Sequence, residues 1–430
     1  MLGNLWAGTW AQAPDYLWYG PEQSYSLTPN SYNTQWVNLY AGSLKDLQYV
    51  AQQAKANGQV NHYAIARIME AYTLQILVDG WGDIPFSEAL QGNNDISPAY
   101  DSAEEVYAAL PGIINDGLAA FDEESEYRVG TEDIVFSGDI DLWRKFANSL
   151  KLRIYLRESF AREDEARAGI QELVASNAEF LMRGENATVN PGFTNTAGKR
   201  SPIYETIGLT VSGSATSNFR ATRANKFAIE FLKETDDPRI SRLYRPVGGN
   251  YVGVQSGEVN SDDNKSSQLS AVGPAIIPTV AESGYAVPAY LMNAAESLFL
   301  QAEAVERGFM PGNAQDLYEE GIRASFDLLE AEGAEEYIAQ DIPLVGWEAS
   351  PNKLEAIITQ KWVALNGING FEAWTEFRRT GFPSGNPLSL TASVPKFPAR
   401  IPYVQSELAG NATNVPKVDV FDDKIFWDVR

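Results

Sequence analysis

The residues best able to do chemistry lie in two short stretches. DGWGDIPFSEAL at 79–90 places Asp79 and Asp83 four residues apart around Gly80, Trp81 and Gly82. Hard cations take oxygen ligands, so the two carboxylates could hold calcium. The D-x-[DN]-x-[DN]-G spacing of a calcium loop is absent, and the simpler expectation is a corner whose aspartates satisfy backbone amides while the glycines supply unusual φ values. A structural calcium is the only cofactor these residues suggest. FEAWTEFRR at 371–379 sets Glu372 and Glu376 one helical turn apart beside Arg378 and Arg379. A retaining glycosidase needs two carboxyls about 5–5.5 Å apart, one with a raised pKa. Basic neighbours keep both acids ionised, which suits ion pairing rather than acid catalysis. With no cysteine and His62 as the only histidine, thiol nucleophiles, disulfides, catalytic triads and multi-histidine metal centres are excluded. No catalytic residue is assigned.

Binding by stacking is the other available chemistry. The chain has 10 Trp and 20 Tyr in 430 residues, and many fall in WAGTWAQAPDYLWYGPEQSYSLTPNSYNTQW at 6–36. A sugar ring presents an apolar C–H face and a rim of hydroxyls, and aromatic rings interleaved with Asn and Gln complement both. Trp6, Trp10, Trp18, Tyr19, Tyr25 and Tyr32 are the candidates in this segment. Trp81 joins them as a large ring that faces either the core or a sugar, and Tyr251 and Tyr285 join from a later irregular region, with Tyr204 and Phe219 behind them. The bland alternative for any one ring is a hydrophobic pin holding its segment to the body.

The elements around these residues are mostly helical. Trp36–Ala56 and 61–79 carry apolar residues at helical spacing, with Asn57-Gly58 turning between them. Asp101 with Glu104 reads as a capping box, Pro111-Gly112 as a kink or break, and 141–160 as a helix with a Trp143, Phe146, Ala147, Leu150, Ile154 stripe. Residues 184–288 lose helical period and read as loops and short strands, NYVGVQ and AIIPTV among them. Helices resume at 289–308, 313–330 and 352–366, and the last fifty residues are irregular. Small residues at Ala294, Ala302 and Gly321 suit stacked helical hairpins. The expected fold is mainly α: a tetratricopeptide-like helical-hairpin scaffold with an irregular loop and short-strand insertion. Its segments are 36–183 and 289–380 as scaffold, 184–288 as insertion and 381–430 as an irregular end, in one unit over 1–430.

The formal charge of −24 opposes phosphate tracking, so nucleic acid is not an expected partner. No apolar run reaches a membrane span.

Four blocks in order carry a resemblance: AYTLQILVDGWGDIPFSEAL at 71–90, DIVFSGDIDLWRKFANSLKLRI at 133–154, VPAYLMNAAESLFLQAEAVERG at 287–308 and QKWVALNGINGFEAWTEFRRTGFP at 360–383, with Asp-Pro-Arg at 237–239 between them. The chain resembles the SusD/RagB-like outer-membrane lipoproteins of Bacteroidetes. The resemblance implies a non-catalytic protein that captures oligosaccharide or polysaccharide at the cell surface and delivers it to a SusC-like TonB-dependent transporter. It also implies a lipid anchor on an N-terminal cysteine that is not among these residues. A glycoside hydrolase and a helical-repeat scaffold that binds only protein are the rival readings.

Overall fold

The computed structural model describes residues 1–430. The chain is mainly helical with a few strands of two to four residues, as the sequence pattern predicts. Its contacts group into two units, one made of 1–26 and 181–397, the other of 27–180 and 398–430.

In the first unit the helical body consists of Ala294–Glu306, Ala314–Leu329, Lys353–Leu365 and Gly370–Thr380. Each begins on an asparagine whose side chain accepts from the first turn: Asn293 from Glu296 N–H, Asn313 from Gln315 N–H, Asn352 from Glu355 N–H and Asn369 from Glu372 N–H. Such caps satisfy amides that have no intrahelical partner. The first two helices form a close hairpin around a core that includes Leu298, Phe299, Ala302, Tyr318 and Ile322. Gly321 permits the approach, because a Cβ there would stand 2.7 Å from the Phe299 ring.

The aromatic-rich start of the chain carries short regular elements. Leu2–Trp6 is a short helix, buried against Gly370–Thr380, and Trp10–Gln12 is a strand. That strand is one edge of a four-stranded antiparallel sheet, followed by Thr222–Ala224, Ala271–Val272 and Tyr244–Arg245. The central strands come from the region read as an insertion. NYVGVQ and AIIPTV form no strands, whereas Lys226–Glu234 is a capped helix that sequence reading missed, with Ala228, Ile229 and Leu232 buried. Asn225 before an apolar 3–4 spacing was the available signal.

In the second unit, Asn33–Val37 runs through a π-helical stretch, Asn38–Leu44, into Lys45–Ala56. Val60–Trp81 packs between that helix and Ala103–Ala120, and Ile140–Glu158 and Glu163–Ala175 continue the succession. The expected stripe on Ile140–Glu158 is buried, from Trp143 to Ile154. Two local expectations are revised. The capping box is Ser102 with Glu105, because Asp101 is drawn into a bridge with Ile84 and its carboxylate accepts from Phe86 and Ser87 N–H, each at 2.9 Å. Pro111 lies inside an unbroken helix, where burial of Val106, Leu110, Ile113 and Ile114 offsets one lost backbone hydrogen bond. No helix is long and apolar enough to cross a membrane.

Candidate functional site

The aspartates of DGWGD are committed to the fold. The helix Val60–Trp81 runs three residues into the motif, leaving Gly82 in the left-handed region at φ +80°. Asp79 is buried, accepts from Tyr107 OH and lies 3.8 Å from the Arg157 guanidinium. Burial, then Asp79 itself, holds the Tyr107 hydroxyl protonated far above its ordinary range. Asp83 Oδ1 accepts from Ala103 N–H at 2.8 Å, at the start of the next helix, and its carbonyl accepts from Tyr403 OH at 2.8 Å. Ile401 N–H donates to Gly80 O at 2.8 Å. The motif therefore clasps the segment 400–403, and its two carboxylates serve different partners. No group of three or more His, Cys, Asp or Glu side chains is placed to hold a metal ion.

The paired glutamates are equally engaged. Lys361 Nζ lies 3.2 Å from Glu372 and 3.4 Å from Glu376, and Arg379 joins Glu376 to Glu303 at 2.7 and 2.6 Å, all buried. For Arg379 the effect of burial, which lowers its pKa, is outweighed by the two carboxylates, and the group is held cationic. Glu303 was absent from the sequence reading because it lies 76 residues from Arg379. His62 is on the first turns of its helix, 3.4 Å from Glu132.

Burial sorts the aromatic candidates. Trp6, Trp10, Tyr25 and Trp81 are core residues and offer no stacking face, which corrects their expected role. Trp6 packs on Trp374 with ring centroids 4.9 Å apart and donates its N–H to Glu22 O at 2.8 Å. Tyr25 is edge-on to Trp6 at 5.9 Å, and its hydroxyl accepts from Ser389 N–H at 3.0 Å. Trp81, at 2 % exposure, donates to Pro402 O at 3.1 Å and packs on Trp36 at 5.4 Å. Tyr204 is also buried. Trp10 is a strand residue opposite Ala224. In each case a ring in an aromatic-rich segment satisfies its polar atom or its packing within the body.

Tyr19, Tyr32, Tyr251, Tyr285 and Phe219 are half-buried, and Trp18 is 55 % exposed beside Leu17 at 92 %. Trp18 stands on the loop 14–20, whose ends are held firmly. Gln12 binds both arms, donating to Tyr16 O at 2.7 Å and accepting from Tyr19 N–H. Asp15 accepts from Ser266 N–H at 2.8 Å and Ser266 OH at 2.9 Å, and Tyr19 OH is 3.0 Å from Thr222 Oγ1. Burial raises the Tyr19 pKa, so this phenol is a neutral hydrogen-bonding group. Below the loop, Arg223 donates to Ser266 O and Phe219 O, each at 2.7 Å. Burial lowers its pKa to about 10. Tyr16 and Val252 pack together on the small core of Ala11, Ala13, Val254 and Leu269. The tip is an exposed ring on a pre-organised loop, flanked by hydroxyls and amides. Sequence reading missed Asp15, Tyr16 and Leu17, although Pro14 and Gly20-Pro21 bracket the five residues DYLWY as a turn-bounded tip. Tyr285 stands apart in the turn Gly284–Ala286, where its carbonyl accepts from Ser201 N–H at 2.8 Å. Tyr32 precedes the helix Asn33–Val37 in the other unit.

A family model of SusD-like proteins, described as starch-binding and associating with the outer membrane, matches residues 2–403. The chain belongs to the SusD-like family. Among solved structures, a chitin-binding SusD homologue from Flavobacterium johnsoniae matches with TM-score 0.84 and 27% identity over 99% of this chain and 93% of that one. A SusD homologue from Bacteroides uniformis matches with TM-score 0.78 and 24% identity over 100% and 94%. A second chitin-binding protein matches with TM-score 0.80 at 24% identity over 100% and 94%. No curated protein matches the chain. The SusD-like membership accords with the mainly helical architecture and with the order of the four sequence blocks.

Proposed function

We propose that this SusD-like chain is a non-catalytic glycan-capture protein of the outer-membrane surface that takes up oligosaccharide through the Trp18 loop and delivers it to a SusC-like TonB-dependent transporter. The observation that carries the binding reading is Trp18: a large ring left exposed on a loop that Gln12, Asp15 and Tyr19 hold rigid. An ordered platform loses little conformational freedom on binding. The family description, starch-binding and associated with the outer membrane, supports glycan as the ligand and the membrane surface as the place. The Flavobacterium johnsoniae relative makes chitin-type oligosaccharides the first class to test. Tyr19 contributes beside Trp18, and Tyr251, Tyr285 and Tyr32 are separate candidates. The non-catalytic reading is supported by the engagement of Glu372 and Glu376 with Lys361 and Arg379, which keeps them from acting as acid and nucleophile. The family resemblance supports a lipid anchor and the transporter partnership.

Affinity electrophoresis over a panel of starch, chitin and cell-wall glycans tests the reading, with reducing ends assayed in parallel. Retardation without new reducing ends is expected. Trp18→Ala lowers glycan affinity about tenfold and leaves the melting temperature unchanged. Release of reducing ends would replace capture by hydrolysis, and normal binding by Trp18→Ala would move the platform elsewhere. Co-purification with a co-expressed transporter tests the partner.

A further inference from the structure

The strand Thr222–Ala224 places Arg223 at its centre, opposite Ala11 on one side and Ala271 on the other. Directly opposed residues share a face of a sheet, so the long side chain has an alanine on either side and room to lie over the strands. Its guanidinium is braced on backbone carbonyls. Nε donates to Ser266 O at 2.7 Å, and Nη1 donates to Phe219 O at 2.7 Å and Thr222 O at 2.8 Å. The Trp18 loop rests on two of the same residues: Asp15 accepts from Ser266 N–H and OH, and Tyr19 OH is bonded to Thr222 Oγ1. Arg223 thus ties together both supports of the loop 14–20 and sets a positive charge at its base. The fold does not neutralise that charge. Arg223 is 6 % exposed, and no carboxylate lies within ion-pairing distance of it. Asp15, whose charge acts on it, is turned to Ser266. By contrast the buried Arg200, Arg239 and Arg379 of this unit each hold a carboxylate, at 2.5, 2.7 and 2.6 Å. The remaining nitrogen of Arg223, Nη2, donates to no protein atom and reaches solvent. A second cation stands beside it. Arg220, on the helix Ser217–Ala221 that packs against this strand and Ser266–Gln268, is exposed and has no ion pair. Burial lowers the Arg223 pKa, to about 10, and Arg220 adds to that effect, so the two positive charges are near one another and both persist at neutral pH.

A buried cation without a counterion is costly, and this one keeps a free donor toward solvent on a chain with 57 acidic and 33 basic residues. An exposed ring with two uncompensated guanidiniums at its base complements a sugar that bears a negative group. The apolar face of the pyranose stacks on the ring, and the acid on its rim meets the guanidiniums. We propose that Arg223 and Arg220 form an anion subsite of the Trp18 platform, for the carboxylate of a uronic acid or the sulfate ester of a sulfated sugar. Arg223 Nη2 is the charge-assisted donor, held in place by the three carbonyls that brace its guanidinium, and Arg220 supplies a second charge from the surface. The formal charge of −24 does not oppose this, because at physiological ionic strength exposed charges act over only about 8 Å. The proposal rests on the glycan-capture reading and adds an acidic substituent to the captured chain. The chitin named for two relatives carries no such group.

The test titrates the whole chain calorimetrically with hexasaccharides of one β-1,4 backbone: mannohexaose, its uronic acid counterpart hexamannuronate, and 6-O-sulfated mannohexaose. At low salt the wild type binds one or both acidic ligands at least about tenfold tighter than mannohexaose, and the tighter of the two names the substituent. Added salt narrows that ratio. Arg223→Gln brings the ratio within about twofold of unity, and Arg220→Ala lowers it about threefold. Arg220 has no partner in the fold to lose, so its variant decides the matter if Arg223→Gln fails to fold. Arg183→Ala removes the same charge from an exposed pair with Asp327 and leaves the ratio unchanged. Trp18→Ala weakens all three ligands. A wild-type ratio near unity overturns the anion subsite and leaves glycan capture standing, and so does a ratio that survives both substitutions at Arg220 and Arg223. Failure of the wild type to bind these ligands or any glycan of the panel overturns both readings.

Discussion

Glu158→Gln is expected to stabilise the protein at neutral and alkaline pH and to leave it nearly unchanged in acid. Glu158 closes the helix Ile140–Glu158 with its side chain 5 % exposed. Its nearest cation, Arg162 Nη1, is 3.4 Å away but out of hydrogen-bonding alignment, and Glu158 Oε2 accepts no hydrogen bond. The same guanidinium also faces Glu104 at 3.8 Å and Glu165 at 3.9 Å. Burial is the largest influence and pushes the carboxyl up to about 7 from 4.5; Arg162 opposes it, and Glu165 and Glu104 add to it. Raising the pKa from 4.5 to about 7, at about 1.4 kcal/mol per pH unit, corresponds to about 3 kcal/mol of destabilisation once the group is ionised. The folded chain holds this proton more tightly than the unfolded chain, so between these two values stability falls as pH rises. Below 4.5 both states are protonated and the penalty vanishes. Glutamine mimics the protonated acid at every pH. The difference between variant and wild type should therefore grow from about 1 kcal/mol at pH 5 to about 2 at pH 6 and about 3 at pH 8. Urea denaturation of both proteins at the three pH values measures it, and taking the difference removes the titration of every other group. A constant offset across this range, or a variant less stable at pH 8 than the wild type, would refute the reasoning by showing that Arg162 holds Glu158 ionised at no net cost.

Two further substitutions separate core from surface. Trp81→Ala removes a buried ring from the packing of Trp36 and the clasp on Pro402, and should cost about 3–5 kcal/mol in denaturant titration, with glycan affinity retained wherever the protein is folded. Arg379→Met leaves the buried carboxylates of Glu303 and Glu376 with one cation each, Arg307 at 3.0 Å and Lys361 at 3.4 Å. A loss of about 3 kcal/mol at pH 7 is expected, partly recovered on acidification, because protonation of the two acids relieves the under-compensated charge; pH-dependent thermal melts of variant and wild type measure it. Trp18→Ala should change neither melting curve nor urea midpoint, in contrast to both.

The helices of this protein were legible because amphipathic spacing and caps are local. The stripe from Trp143 to Ile154 and the small residues Ala302 and Gly321 are buried where the pattern placed them. The helix Lys226–Glu234 was obscured by its glycine- and serine-rich surroundings, and the strand Trp10–Gln12 by having its partner, Thr222–Ala224, more than two hundred residues away. A three-residue strand has no pattern of its own and exists only through that pairing.

Residue types alone determined what chemistry was out of reach: without cysteine and with one histidine, no triad, disulfide or thiolate centre can be built. They also determined that aromatic stacking was available, and local order in four blocks carried the family. Only the tertiary structure decided which rings remain for a ligand. Trp6, Trp10, Trp18 and Trp81 are alike in sequence context, yet three are sealed inside and one stands on a loop tip. The difference lies in what each ring meets across the fold: Trp374 and Trp36 pack on Trp6 and Trp81, Trp10 lies in a strand paired with Thr222–Ala224, and Asp15 and Tyr19 anchor the loop of Trp18 by its flanks, leaving its ring exposed. Burial is a property of distant partners, and a sequence read locally contains no record of them.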